Sequence, residues 1–92
     1  YDLKRYEEAL AAYEQAIRLN PNYASAYNGK GNVFYGRKRY EEALAAYDQA
    51  IRLDPNYAFA YTNKGNTLRN LKRYEEAEQA YEKAHRLGYV SP

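Results

Sequence analysis

The chain has 92 residues, a formal net charge of +2 and no cysteine, which excludes disulfides and thiolate metal sites. Its single histidine excludes a multi-histidine metal centre, and we expect no cofactor. The nearly balanced charge does not favour nucleic acid, which requires a concentrated basic face, and no apolar run is long enough to cross a bilayer.

The first predicted helix runs from Tyr6 to Leu19. Apolar residues recur there at steps of three and four, which is typical of an amphipathic helix. The segment Asn20–Asn22 should end it, because its central proline cannot extend a helix. We expect Asn22, and Asn56 in the next copy, to cap the helix that follows.

The same pattern then recurs along the chain. Lys4–Ala9 is repeated at Lys38–Ala43 and again at Lys72–Ala77, with an offset of 34 residues each time. The repeat predicts four further helices, at Tyr23–Gly36, Tyr40–Leu53, Tyr57–Asn70 and Tyr74–Leu87. The short turns between them predict antiparallel hairpins.

Gly31 and Gly65 occupy the same position of successive copies, inside predicted helices. Glycine weakens a helix by about 1 kcal/mol relative to alanine. Its recurrence therefore predicts that another element approaches the backbone closely at both positions.

The period of 34 residues, with a recurring set of aromatic and small residues, closely resembles the tetratricopeptide repeat (TPR) family. In the first complete copy the matching residues are Tyr27, Gly31, Phe34, Ala43, Tyr47, Ala50 and Pro55, and in the second they are Tyr61, Gly65, Leu68, Ala77, Tyr81 and Ala84. The resemblance implies an all-α, TPR-type helical-hairpin solenoid forming a right-handed superhelix, in which each repeat has an A helix and a B helix.

The resemblance also predicts how the chain divides into repeats. We assign residues 1–21 to the second helix of a truncated repeat, residues 22–55 to a full repeat and residues 56–92 to a full repeat with an irregular end. The helices should then follow the order B-A-B-A-B. Since the chain contains no methionine, we expect it to be a piece of a longer array.

Lysines mark two departures from the family's pattern. Lys30 and Lys64 stand where leucine is usual, and the A–B turns carry Lys4, Lys38 and Lys72 where glycine is common. These residues add cations at fixed places without changing the predicted fold.

In this family the A helices line the concave surface, and their outward positions meet the ligand. Carried over by position, the first A helix supplies Ser25, Asn28, Gly29, Asn32, Tyr35 and Gly36, and the second supplies Phe59, Thr62, Asn63, Asn66, Arg69 and Asn70. An asparagine amide offers a donor and an acceptor, so it can bind a peptide bond of any sequence. We therefore predict an extended protein or peptide as the ligand, with Tyr35 as an aromatic anchor.

Asn32 and Asn63 resemble two members of the carboxylate clamp of chaperone-binding relatives. That clamp also needs cations, but Asn28 stands where its first lysine would be, and Phe59 adds none. We therefore do not expect these residues to recognise a free C-terminal carboxylate.

Three other functions are weighed against peptide binding. Enzyme activity is not expected, because no serine lies near His85 in the repeat geometry. Self-association end to end remains open, since the apolar stripe of the first helix (Leu3, Tyr6, Leu10 and Tyr13) lacks a partner helix. A basic edge at the turns (Lys38, Arg39, Lys72 and Arg73) could meet nucleic acid, but adjacent glutamates predict an internally neutralised surface.

Overall fold

A computed structural model describes residues 3–88, which form five α-helices. These are α1 (Leu3–Leu19), α2 (Ala24–Gly36), α3 (Tyr40–Leu53), α4 (Ala58–Asn70) and α5 (Tyr74–Arg86). They stack as TPR-like hairpins in the order B-A-B-A-B, which confirms the predicted all-α fold. Between residues 3 and 88, none of the helices has the length and apolarity needed to span a membrane.

Four of the helices begin within one residue of their predicted starts, and α1 is the exception. It begins at Leu3 instead of Tyr6, so Lys4 is helical, and the prediction that Lys4 lies in a turn was wrong. Among residues 3–88, no A helix precedes α1. There is therefore no A–B turn in this range that would place the start of α1 at Tyr6.

The two A–B turns end their A helices in the same way. After α2, the backbone N–H of Lys38 donates to the carbonyl of Tyr35 (2.9 Å), and that of Arg39 donates to Phe34 (2.8 Å). This is the double hydrogen bond of a Schellman motif, which places its turn residue in the left-handed region. Lys38 and its equivalent Lys72 accordingly have φ values of 60° and 62°, where glycine would be less strained.

The two B–A turns do not use the predicted caps. Instead of capping the next helix, Asn22 donates its backbone N–H to Oδ1 of Asn20 (3.2 Å), and Asn56 donates likewise to Asp54 (3.1 Å). The helices α2 and α4 follow Tyr23 and Tyr57 without a side-chain cap. Asn20 and Asp54 thus hold the turns, because a short polar side chain can accept from the backbone two residues on.

Each hairpin has its own small core, and the two cores are built alike. Phe34 of α2 packs with Ala43 and Tyr47 of α3, and Leu10 of α1 covers them. In the next hairpin, the core consists of Leu68, Ala77 and Ala80, with Leu44 of α3 in the covering position. A leucine from the preceding B helix therefore joins each hairpin to its neighbour.

The glycines at Gly31 and Gly65 lie at tight crossings, as predicted. A Cβ at Gly31 would be 2.5 Å from Cε1 of Tyr47, and one at Gly65 would be 2.7 Å from Cε1 of Tyr81. Because both distances are shorter than a carbon–carbon contact allows, only glycine lets the tyrosine ring of the B helix rest on the A helix.

Most of the apolar stripe of α1 is covered within the chain, contrary to prediction. Leu10 packs on the first core, Tyr6 donates a hydrogen bond to the carbonyl of Gly36 (3.2 Å), and Tyr13 lies against Gly29. The stripe faces α2 because α1 packs on α2 as α3 packs on α4. Leu3, 53% exposed, is the member of the stripe left open.

The tyrosines at packing positions are not uniformly buried. Tyr47 is 1% exposed, but Tyr74 is 57% exposed, although both stand at positions where the repeat carries tyrosine. Its equivalent Tyr40 packs edge-on against the ring of Tyr35. At the position equivalent to Tyr35 the second copy has Arg69, so Tyr74 has no such ring to pack on.

The departures at Lys30 and Lys64 are explained by ion pairs between a B helix and the A helix after it. Lys64 Nζ lies 2.7 Å from a carboxylate oxygen of Asp48, and Lys30 lies 3.7 Å from Glu14. All four side chains are partly exposed, so each pair contributes at most about 1 kcal/mol.

Candidate functional site

The A helices α2 and α4 lie side by side, and two hydrogen bonds between side chains join them. Asn63 Nδ2 donates to Asn28 Oδ1 (3.0 Å), and Asn70 Nδ2 donates to the hydroxyl of Tyr35 (2.9 Å). Two predicted residues of one helix thus meet two of the other. We call this surface the A-helix face and define it by Asn28, Asn32, Tyr35, Phe59, Thr62, Asn63, Asn66, Arg69 and Asn70.

Asn32 and Asn66 occupy equivalent positions on the A-helix face and accept equivalent hydrogen bonds. The hydroxyl of Tyr47 donates to Oδ1 of Asn32 (2.6 Å), and the hydroxyl of Tyr81 donates to Oδ1 of Asn66. Burial raises the pKa of Tyr47 and, more modestly, that of Tyr81, so both phenols remain protonated donors near neutral pH. Each tyrosine therefore reaches from the B helix to the amide of its A-helix partner.

Sequence reasoning missed the role of these two tyrosine hydroxyls. The signal was present, because each asparagine precedes its tyrosine by 15 residues. The position also carries tyrosine rather than phenylalanine in all three copies, at Tyr13, Tyr47 and Tyr81. A ring that served only to pack would not need the hydroxyl.

Tyr35 is less open than an aromatic anchor would be. It is half-buried, its ring lies 5.5 Å from that of Tyr40 in an edge-on arrangement, and its hydroxyl accepts from Asn70. Phe59 is the more exposed aromatic side chain of the A-helix face, at 60%.

Two other members of the A-helix face, Thr62 and Arg69, make different kinds of contact within the chain. Thr62 donates its hydroxyl to the carbonyl of Ala58 (3.3 Å) within α4. Arg69 is exposed, and its guanidinium carbon lies 5.9 Å from the ring centroid of Tyr81. Arg69 is the single charged residue among the nine, so the A-helix face is polar but nearly neutral.

Two glycines predicted to line the ligand surface face α1 instead. Gly29 is buried beneath the ring of Tyr13, and Gly36 lies beside Tyr6. In a helix, successive residues are separated by about 100°. Gly29 therefore points towards α1, although its neighbour Asn28 belongs to the A-helix face.

At the basic edge of the A–B turns, the two arginines form ion pairs with glutamates three residues further on. Arg39 binds both carboxylate oxygens of Glu42 (2.6 and 2.8 Å), and Arg73 binds those of Glu76 in the same way (2.9 and 2.8 Å). The hydrogen bond from Arg73 lowers the pKa of Glu76. These pairs agree with the predicted mixed-sign surface.

A crevice opens on the other side of each hairpin, between its A and B helices. The first has a volume of about 310 Å³ and includes Tyr27, Phe34 and Gln49 in its lining; the second includes Tyr61 and Leu68. Among residues 3–88, no three His, Asp or Glu side chains cluster in a way that could hold a metal ion.

Comparison with known proteins agrees with the stacked-hairpin geometry. The MamA crystal structure is 29% identical, with a TM-score of 0.86, over 90% of this chain and 48% of that chain. The second TPR of Spaghetti (RPAP3), bound to HSP90 peptide SRMEEVD, is also 29% identical, with a TM-score of 0.85, over 89% of this chain and 76% of that one.

YrrB, described as a TPR protein with an unusual peptide-binding site, is 36% identical, with a TM-score of 0.84, over 87% of this chain and 41% of that chain. This chain thus spans about half the length of the MamA chain and a smaller share of the YrrB chain. A search of curated proteins finds no match.

Two family models, both described as tetratricopeptide repeat, match the sequence at residues 1–58 and 46–79. Neither describes an enzyme. With its period of 34 residues, its tyrosine-on-glycine crossings and its stacked hairpins, this chain belongs to the tetratricopeptide repeat family.

Proposed function

We propose that this chain is a non-catalytic scaffold that holds a protein segment or extended peptide along the A-helix face, the concave groove of the family. The observation that carries the proposal is the joining of α2 and α4 through Asn63–Asn28 and Asn70–Tyr35. These bonds make one polar strip across two helices. Amides along such a strip can pair with a ligand backbone regardless of its side chains.

The similar structures support a peptide ligand without identifying it. The RPAP3 domain binds a peptide of HSP90, and YrrB is described as having a peptide-binding site. In this chain Arg69 is the single charged member of the A-helix face. We therefore propose recognition of an uncharged stretch of backbone, and we do not propose nucleic acid as a partner.

Self-association through the terminal helices is the alternative, and the packing within the chain favours it less. Among residues 3–88, each B helix packs mainly on A helices, and a leucine side chain is the main link from one B helix to the next. Direct end-to-end stacking would place α5 of one copy against α1 of the next, and both are B helices. Light scattering over a concentration series tests this alternative, because stacking requires a mass that increases with concentration.

The proposal is tested by screening labelled extended peptides for binding by fluorescence anisotropy and titrating the tightest one into two variants. Asn63→Ala removes an amide from the A-helix face, whereas Gln49→Ala removes one from the B-helix side. We expect about fivefold weaker binding for Asn63→Ala, the effect of losing one hydrogen bond, and no change for Gln49→Ala. Equal effects of the two changes would contradict the proposal.

A further inference from the structure

Tyr47 and Tyr81 determine which way two amides of the A-helix face point. Tyr47 is 1% exposed, and its hydroxyl donates to Oδ1 of Asn32 at 2.6 Å. If the amide were turned over, Nδ2 would face the hydroxyl and the phenol proton would lose this acceptor. Losing a partner is costly for a buried donor. The phenol therefore holds Oδ1 towards the B helix and Nδ2 away from it.

The same arrangement at Tyr81 and Asn66 gives the A-helix face a second amide whose N–H groups point away from the B helix. Asn32 is exposed and Asn66 is half-buried, so a ligand can reach both amides. Each offers N–H groups, because its oxygen already accepts from a tyrosine. A chain that pairs with both N–H groups supplies acceptors to them, and backbone carbonyls are the acceptors that every peptide has.

The spacing of the two donors selects a backbone conformation. Asn32 and Asn66 occupy equivalent positions on α2 and α4, between the Asn28–Asn63 link and the Tyr35–Asn70 link. We infer that their amides are about one interhelical distance apart. Packed helices lie about 8–10 Å apart. In polyproline II helix, carbonyls three residues apart point the same way at about 9.3 Å. Same-side carbonyls of a β-strand are only about 6.8 Å apart, which is too short.

We propose that Tyr47 and Tyr81 are positioning residues and that the ligand of the A-helix face is an uncharged peptide in the polyproline II conformation. Its carbonyls at positions i and i+3 accept from Nδ2 of Asn32 and of Asn66. Because a proline peptide has no backbone N–H, it can accept from these two amides without leaving donors of its own unpaired. This inference rests on the proposed function and adds the chemical class of the ligand.

The first test uses a capped nonaproline peptide and a capped Gly-Ser peptide of equal length. Each is titrated into ¹⁵N-labelled protein while the side-chain amide signals of Asn32 and Asn66 are followed by NMR. We expect nonaproline to shift both signals and the Gly-Ser peptide to bind at least about fivefold more weakly, because it must be ordered first. If screened peptides bind the A-helix face but nonaproline does not, this inference is overturned and the proposed function stands. If no peptide binds, both fail.

The second test asks which end of the amide faces the ligand. Asn32→Asp keeps an oxygen for the Tyr47 hydroxyl but has no N–H to offer. We expect it to weaken nonaproline binding about fivefold or more. Asn22→Asp adds the same charge in the turn before α2 and is expected to change nothing. Unchanged or tighter binding by Asn32→Asp would mean that an acceptor faces the ligand, which overturns the inference.

The third test concerns the tyrosines themselves. Tyr47→Phe keeps the ring on Gly31 but removes the donor to Asn32. We expect the two N–H signals of the Asn32 amide to move towards positions typical of a free amide, and nonaproline binding to weaken about fivefold. Tyr27→Phe, in the crevice on the other side, is the matched control. If Tyr47→Phe changed neither the Asn32 signals nor nonaproline binding, the positioning role of Tyr47 would be overturned. The Asn32→Asp result is independent of this one, because Asn32 is exposed and its replacement alters no buried group.

Discussion

The α2–α3 and α4–α5 hairpins are near copies in their packing, but they differ in how well they are covered. Tyr47 in the first is 1% exposed, whereas its equivalent Tyr81 in the second is only half-buried. The reason is that α3 packs between two A helices, α2 and α4, while α4 is the one A helix that packs on α5 among the described residues. The difference shows that a hairpin of this array depends on the A helix that follows it, as expected of a linear repeat protein.

The largest expected effect separates the two hairpins at their glycine crossings. Gly31→Leu should destabilise the fold by about 1–3 kcal/mol, because Tyr47 is enclosed and cannot move away. Gly65→Leu should cost less than half as much, because Tyr81 can swing towards solvent. Urea unfolding of both variants measures the difference. Equal losses would show that the following A helix does not confine the tyrosine.

The pH dependence of stability provides a second contrast between the hairpins. Burial raises the pKa of Tyr47 above the value of about 10 for an exposed tyrosine, so the folded protein holds this proton more tightly than the unfolded chain. The stability is therefore fully present below pH about 10 and falls above it, by at most about 1.4 kcal/mol per pH unit for this group.

Replacing each tyrosine by phenylalanine isolates its share of that loss. Tyr47→Phe should remove a larger part of the alkaline destabilisation than Tyr81→Phe, since Tyr47 is more deeply buried. Unfolding midpoints measured between neutral pH and about pH 11 provide the comparison. If the two variants had the same alkaline slope, the difference in burial between the hairpins would have no energetic consequence.

The turns should behave alike, in contrast to the crossings. Lys38→Gly and Lys72→Gly each relieve a left-handed lysine and should stabilise the protein by about 1 kcal/mol. Thermal unfolding measures both, with Lys83→Gly as the control in which the glycine lies inside a helix and should destabilise. Unequal increases in stability for the two variants would show that the two A–B turns are not equivalent.

The smallest effect is expected on the A-helix face. Asn63→Ala should change the free energy of unfolding by no more than about 0.5 kcal/mol, because Asn28 can replace the lost bond with water. The same variant should weaken peptide binding. A large loss of stability would mean that the Asn63–Asn28 link serves the fold rather than the ligand.

The architecture could be predicted from the sequence because residues that recur every 34 positions mark where the helices pack. The tight crossings at Gly31 and Gly65 could be located without coordinates, since a helix-weakening residue repeated in register requires a structural reason. The ends of α3 were also predicted, because Asp54–Asn56 closes that helix. These features depend on local sequence and on the period.

The details of the A-helix face could not be predicted because they depend on how neighbouring helices meet. Asn28 and Gly29 are adjacent in sequence, yet one joins the face and the other lies under Tyr13. The orientation of the Asn32 amide depends on a hydroxyl 15 residues away. Similarly, the choice of Asn20 over Asn22 as the residue holding the B–A turn follows from the exact path of that turn.

The central claim is that the A-helix face, and not the ends of the array, meets the partner. An NMR titration of the ¹⁵N-labelled chain with a pooled library of extended peptides, including free acidic C-termini, tests it most directly. We predict shifts concentrated at Asn28, Asn32, Tyr35, Asn63, Asn66 and Arg69. An absence of shifts at high peptide concentration, or shifts confined to α1 and α5, would contradict the claim and point to assembly through the ends.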